Sequence, residues 1–177
     1  MSNEMLKVEY ERLKEEQVRR IGFRDNLIYV ALGVAGAIFA FYFGKEDRQY
    51  ILLIPPFALT VLGWTYLVND EKISSIGRYI RERLLPEFKA RGGDSVTLLG
   101  WETYHRSDND RVWRKATQSV VDISAFCMAS AVSLAIFFGK GGIGIAGWVL
   151  GTLEAVAVIG LIAAFVHTSD YSRDETV

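Results

Sequence analysis

The chain has 177 residues, half of them hydrophobic and 12% aromatic, with a mean hydropathy of +0.17. Its 20 Lys and Arg against 21 Asp and Glu leave a net charge of −1, which excludes a bulk polycation for nucleic acid, and its one cysteine excludes an internal disulfide or a thiolate metal cluster. The charges gather in three stretches and nearly vanish from four runs of about 18 to 22 residues, the pattern of an all-α polytopic membrane protein.

Residues 1–26 are polar and proline-free. Leu6, Tyr10, Leu13 and Ile21 line one broad face, and Lys7 with Glu11, Glu15 with Arg19, and Glu16 with Arg20 stand four residues apart. Each such pair supports a helix by a few tenths of a kcal/mol. The result is an amphipathic helix that leads into the first apolar run. It lies along the bilayer surface or against the central segment, or it associates with copies of itself.

The first run, Leu27 to Gly44, has no charge and as a helix is about 27 Å long, just enough to cross. It pairs with a second, from about Tyr50 to Val68, as a transmembrane hairpin over 27–68. Pro55 and Pro56 near the start of the second span lack N–H groups and so free backbone carbonyls. A linker over 69–117 follows. Asn69 or Asp70 is a plausible cap for a new helix in which Ile73, Ile76, Ile80, Leu84 and Phe88 oppose Lys72, Arg78, Arg81 and Arg83. Such a basic amphipathic helix suits an anionic membrane surface, and Pro86, Gly92 and Gly93 break it. His105 beside Asp108 and Asp110 lacks the rest of a calcium loop, so a capped, solvated turn is preferred.

Spans three and four, from about Val120 to Phe138 and Ile145 to Val166, form the second hairpin within 118–167, and 168–177 is a short tail. Lipid offers the backbone no hydrogen-bond partner, so all four runs are expected to be helical. Seventeen of the 20 Lys and Arg fall before span one, between spans two and three, or in the tail. The excess of positive charge on one side predicts that both termini and the linker face the cytoplasm.

No Walker loop, HExxH, CxxC or dinucleotide fingerprint is present, so no enzyme, cofactor or metal site is expected. Glu154 stands apart, about nine residues or roughly 13 Å into its span and so near the midplane. Thr60 and Ser130 fall at similar depths and Ser133 one turn further out, making a polar cluster geometrically possible. Glu154 then either holds helix register as a neutral hydrogen-bonding group or takes part in ion or proton conduction. Asp122, near the inner boundary, is expected to pair with Arg24 or Arg114. Gly147 and Gly151 form a GxxxG, and Gly36 with Ala40 a looser version, both suited to close helix contact.

Three stretches, EYERLKEEQVRRIGFRDNLIY (9–29), GWTYLVNDEKISSIGRYIRE (63–82) and WETYHRSDNDRVWRK (101–115), resemble an uncharacterised family of small bacterial four-span membrane proteins. The likeness covers most of the chain and implies the fold without any functional residue. The layout is also similar to the small membrane effectors of bacterial defence systems, although it has four spans where two are common. From the residues, the first expectation is a homo-oligomeric channel or pore gated from the cytoplasm. The alternative is a non-conducting scaffold whose cytosolic helices recruit a protein partner.

The charge split makes topology testable. Cysteines at Asp47 and Gly142, in a Cys127→Ala background, are expected to react with an impermeant thiol reagent in intact cells, whereas cysteines at Ser95 and Thr176 are not. Labelling of the second pair would reverse the orientation.

Overall fold

The computed structural model describes residues 3–44, 49–91 and 111–168, and among these all regular structure is helical. Helix α1, Asn3–Gly44, is a single helix of 42 residues, about 63 Å long and so twice what a crossing needs. The polar lead segment and the first span are therefore one rod.

The second rod is as long. A 3₁₀ turn, Gln49–Leu53, opens into α2, Ile54–Tyr79, then a π-helical turn, Ile80–Leu84, and α3, Leu85–Ala90. Together they form an unbroken run of 42 residues. No new helix starts at Asn69 or Asp70. Asn69 lies within α2, where its amide donates to the Thr65 carbonyl at 2.8 Å. Its side-chain oxygen accepts from Arg20 at 3.3 Å, and Asp70 accepts from Arg24 at 2.7 Å. Residues that commonly cap helices are here held as partners for α1. Nor does Pro86 end the helix. The π turn accommodates it, with the Leu85 N–H bonding the Ile80 carbonyl five residues back.

The basic residues Lys72, Arg78, Arg81 and Arg83 accordingly sit on a continuation of span two, not on a separate helix lying along a surface. That continuation runs antiparallel to the polar half of α1. Tyr79 donates to Glu9 at 2.8 Å and Gln17 to the Ile73 carbonyl at 3.3 Å. Leu6, Ile80 and Leu84 are buried beyond the main core.

Span three is built from α4, Arg111–Ile123, a π-helical turn, Ser124–Met128, and α5, Ala129–Gly139; span four is α6, Ile145–Thr168. Gly141 and Gly142 join them with φ of 69° and 68°, a left-handed conformation that glycine adopts without penalty. Four helices are thus long and apolar enough to cross a membrane. The apolar windows of the second and third are 44% buried and those of the first and fourth 22%, so the middle two form the centre and the outer two present broad apolar faces. Tyr29, Leu32 and Phe43 on α1 and Leu153, Val156 and Ile159 on α6 are exposed in this way, as lipid contact requires.

The interior is tightly interlocked. Tyr66, Phe126 and Phe165 form an aromatic triangle with centroids 5.2, 6.0 and 6.1 Å apart. A Cβ on Gly63 would meet Leu161 at 2.6 Å, and one on Gly151 would meet Phe138 at 2.7 Å and Phe137 at 3.2 Å. Gly147 likewise lies against Ile143 and Tyr50. Gly36 and Ala40 behave differently: both are exposed, and a Cβ on Gly36 would meet nothing within 4 Å.

Gly151→Leu is expected to destabilise the protein by about 1–3 kcal/mol through overpacking against the two phenylalanines, with Gly36→Leu near neutral. Thermal unfolding in detergent measures both; equal loss at the two positions would contradict the packing.

Candidate functional site in the membrane

The four midplane candidates are placed by three helices. Glu154 shares its face of α6 with Gly147, Gly151, Val158, Leu161 and Phe165, all buried. The carboxyl therefore belongs to the inward side of α6, toward the rest of the protein, and not to the lipid-facing side that carries Leu153, Val156 and Ile159. Its Oε2 is shut off from solvent and has no hydrogen-bond partner.

Thr60 is the second unpartnered group: its hydroxyl oxygen is also buried with no partner. Other helical hydroxyls here donate to the carbonyl four residues back. Thr65 does so at 2.8 Å, Thr117 at 2.9 Å, Ser124 at 2.7 Å and Ser130, to Phe126, at 2.9 Å. Thr60 departs from that habit and leaves its hydroxyl available.

Ser133 serves the backbone. Pro56 has no N–H, so the Leu52 carbonyl has no donor in the position four residues ahead, and the Ser133 hydroxyl supplies one from span three at 2.6 Å. The carbonyl freed by proline is thus satisfied inside the bundle. Of the four candidates, Ser130 and Ser133 are committed to backbone carbonyls, while Thr60 and Glu154 are not. No hydrogen-bond network joins all four.

A denser polar assembly lies near the other end of span two. Arg24 of α1 pairs with Asp25 at 2.9 Å and with Asp70 of α2 at 2.7 Å, and its guanidinium lies 5.8 Å from the centroid of the Tyr66 ring. Asp122 of α4 is buried and accepts from Gln118 at 2.8 Å. Asp122 is held by Gln118 of its own helix and not by Arg24, which is held by the two other aspartates. The Arg114 side chain lies outside the described residues. Sequence reading identified Asp122 and Arg24 but missed Tyr66, which reads as an interfacial belt aromatic; an arginine at the membrane boundary, which favours an aromatic face, was the available signal.

Cys127 is buried in the π turn, and His167 is exposed in the last turn of α6. His105, Asp108 and Asp110 lie outside the described residues. Among the described residues no three His, Cys, Asp or Glu side chains converge as a metal site. No protein-family model, curated protein or solved structure matches the chain.

Ser133→Ala is expected to cost about 1–3 kcal/mol, because it strands the Leu52 carbonyl. Ser130→Ala, which removes only a bond within one helix, is expected to cost less. Unfolding midpoints in the same detergent check the order, and a reversed order would contradict the assignment.

Proposed function

We propose that the protein is a homo-oligomeric channel or pore-type protein of a bacterial inner membrane, gated from the cytoplasmic side. The observation that carries this reading is the pair of buried, unpartnered polar atoms at depth, Glu154 Oε2 and Thr60 Oγ1. A polar atom left without a partner in a dry interior is costly, and a hydrated path supplies the missing partners. The closed arrangement keeps the pair dry; separating α6 from α2 wets it.

Four helices enclose little volume, so several copies are needed to surround a water path. The exposed apolar faces of α1 and α6 offer the contact area, with Gly36 and Ala40 providing a place for close approach between copies. The distribution of Lys and Arg supports a cytoplasmic location for the polar hairpin formed by α1 with the end of the second rod, where a protein or ligand signal is received. A scaffold that recruits a cytosolic protein is the second reading. It is favoured by the cross-bracing of that hairpin through Glu9 with Tyr79 and Gln17 with Ile73.

Glu154→Gln separates the roles because it keeps size and hydrogen-bonding capacity while removing the charge. In liposomes the wild-type protein is expected to pass cations in preference to anions with a pH-dependent conductance. Glu154→Gln, at unchanged oligomer mass, is expected to lose both the preference and the pH dependence. Absence of wild-type conductance from a correctly assembled oligomer would leave the scaffold, and conduction with unchanged selectivity and pH response in the variant would remove Glu154 from the path.

A further inference from the structure

The unpartnered atoms of Glu154 and Thr60 lie between two closures of different make. The second rod and α6 both begin at the end of the bundle away from the polar hairpin, so higher residue numbers on either lie nearer the hairpin. On the far side of the pair, Phe137 and Phe138 fill the space at Gly151. Hydrogen bonds pin that end: Ser133 to the Leu52 carbonyl and Gln49 to the Phe137 carbonyl, both at 2.6 Å.

On the hairpin side the closure is apolar. Three residues beyond Thr60, Gly63 has no side chain, and Leu161 of α6 fills the place, 2.6 Å from where a Cβ would stand. Three residues further, Tyr66 meets Phe126 and Phe165 in the aromatic triangle. Leu161 and Phe126 are 0% exposed, Tyr66 2% and Phe165 3%. Glu154, Val158, Leu161 and Phe165 recur along α6 at steps of four, three and four. One inward stripe therefore carries the acid and then, toward the hairpin, three apolar side chains. Charge returns beyond the triangle, with Arg24 5.8 Å from the Tyr66 centroid and Asp122 buried on α4. Thr60 to Tyr66 is six residues, or about 9 Å of helix rise, so a thin apolar layer separates two polar levels. A hydrophobic constriction of this kind closes by excluding water and needs no bonded latch.

We propose that Leu161, seated on Gly63 and backed by the Tyr66–Phe126–Phe165 triangle, is the apolar gate that closes the Glu154–Thr60 level from the hairpin side. The gate rests on the reading that this level is the part of the bundle that meets water. Glycine at 63 admits the leucine, and volume alone makes the closure. Shortening the side chains of this layer therefore opens it without any change in helix register or hydrogen bonding.

Thiol access tests the gate in vesicles containing the full chain with Cys127→Ala and Thr60→Cys. The probe is a charged, impermeant methanethiosulfonate, and a cysteine at exposed Ser75 on the second rod shows which vesicle face carries the hairpin. With Leu161 present, the Thr60→Cys thiol is expected to react slowly from both faces. Leu161→Ala is expected to speed the reaction from the hairpin face by about tenfold or more and to leave the opposite face unchanged. Phe165→Leu, a milder change in the same layer, is expected to act in the same direction to a smaller extent. Phe138→Ala, which thins the far closure, is expected to leave the hairpin-face rate unchanged. Oligomer mass and thermal midpoint on each variant separate access from unfolding. Fast reaction with Leu161 present, equal acceleration from both faces, or no acceleration from the hairpin face in both Leu161→Ala and Phe165→Leu would overturn the gate. The expected labelling in a protein that passes no ions would count against the pore reading alone.

Discussion

Lipid neither donates nor accepts a hydrogen bond, and that constraint governs the interior of this bundle. Two prolines at the start of α2 are helpful in water, where a helix N-terminus can be solvated, but in the membrane they leave carbonyls that only the protein can satisfy. Ser133 meets that demand for Leu52, and Gln49 does the same for the end of α5 by donating to Phe137. Both bonds join the second rod to span three. The places where backbone geometry is irregular are thereby also the places where the central helices are tied together.

The same constraint explains why so much of the fold was legible. Charge-free runs long enough to cross read directly as helices, and all four spans appear where the apolar runs are. Continuity beyond the spans was harder to read. Asn69 and Asp70 are good N-caps by local chemistry, and a cap is the natural reading when neighbours in space are unknown. In the folded chain Arg20 and Arg24 occupy their oxygens from α1, so the backbone continues as helix. Pro86 is a breaker by the same local logic, and a π turn absorbs it. Tertiary partners decided these positions, and a linear reading holds no record of them.

The candidate site divides along a similar line. A lone acid inside an apolar run draws attention to Glu154 without any structure, and helical rise alone gives its depth. Depth does not give azimuth. Ser130 and Ser133 lie close to the expected level, yet their hydroxyls serve Phe126 and Leu52, and nothing in their spacing distinguishes them from Thr60. Small-residue patterns have the same ambiguity: Gly147 meets Ile143 and Tyr50 and Gly151 meets Phe137 and Phe138, whereas a Cβ on Gly36 would meet nothing within 4 Å and Ala40 is exposed. One motif type thus describes both an internal contact and a free face.

Ties between helices lie toward the two ends of the bundle. Toward the polar hairpin, Arg24 ties α1 to Asp70 and Tyr66 of α2, and Asp122 of α4 is held by Gln118. At the opposite end Ser133 and Gln49 close the backbone. Between these ties lie Thr60 and Glu154 with open valences and, beside them, Gly63 with Leu161 packed into the space its missing side chain leaves. Such ties oppose sliding of whole helices past one another, while packing such as Leu161 against Gly63 fills the level between them.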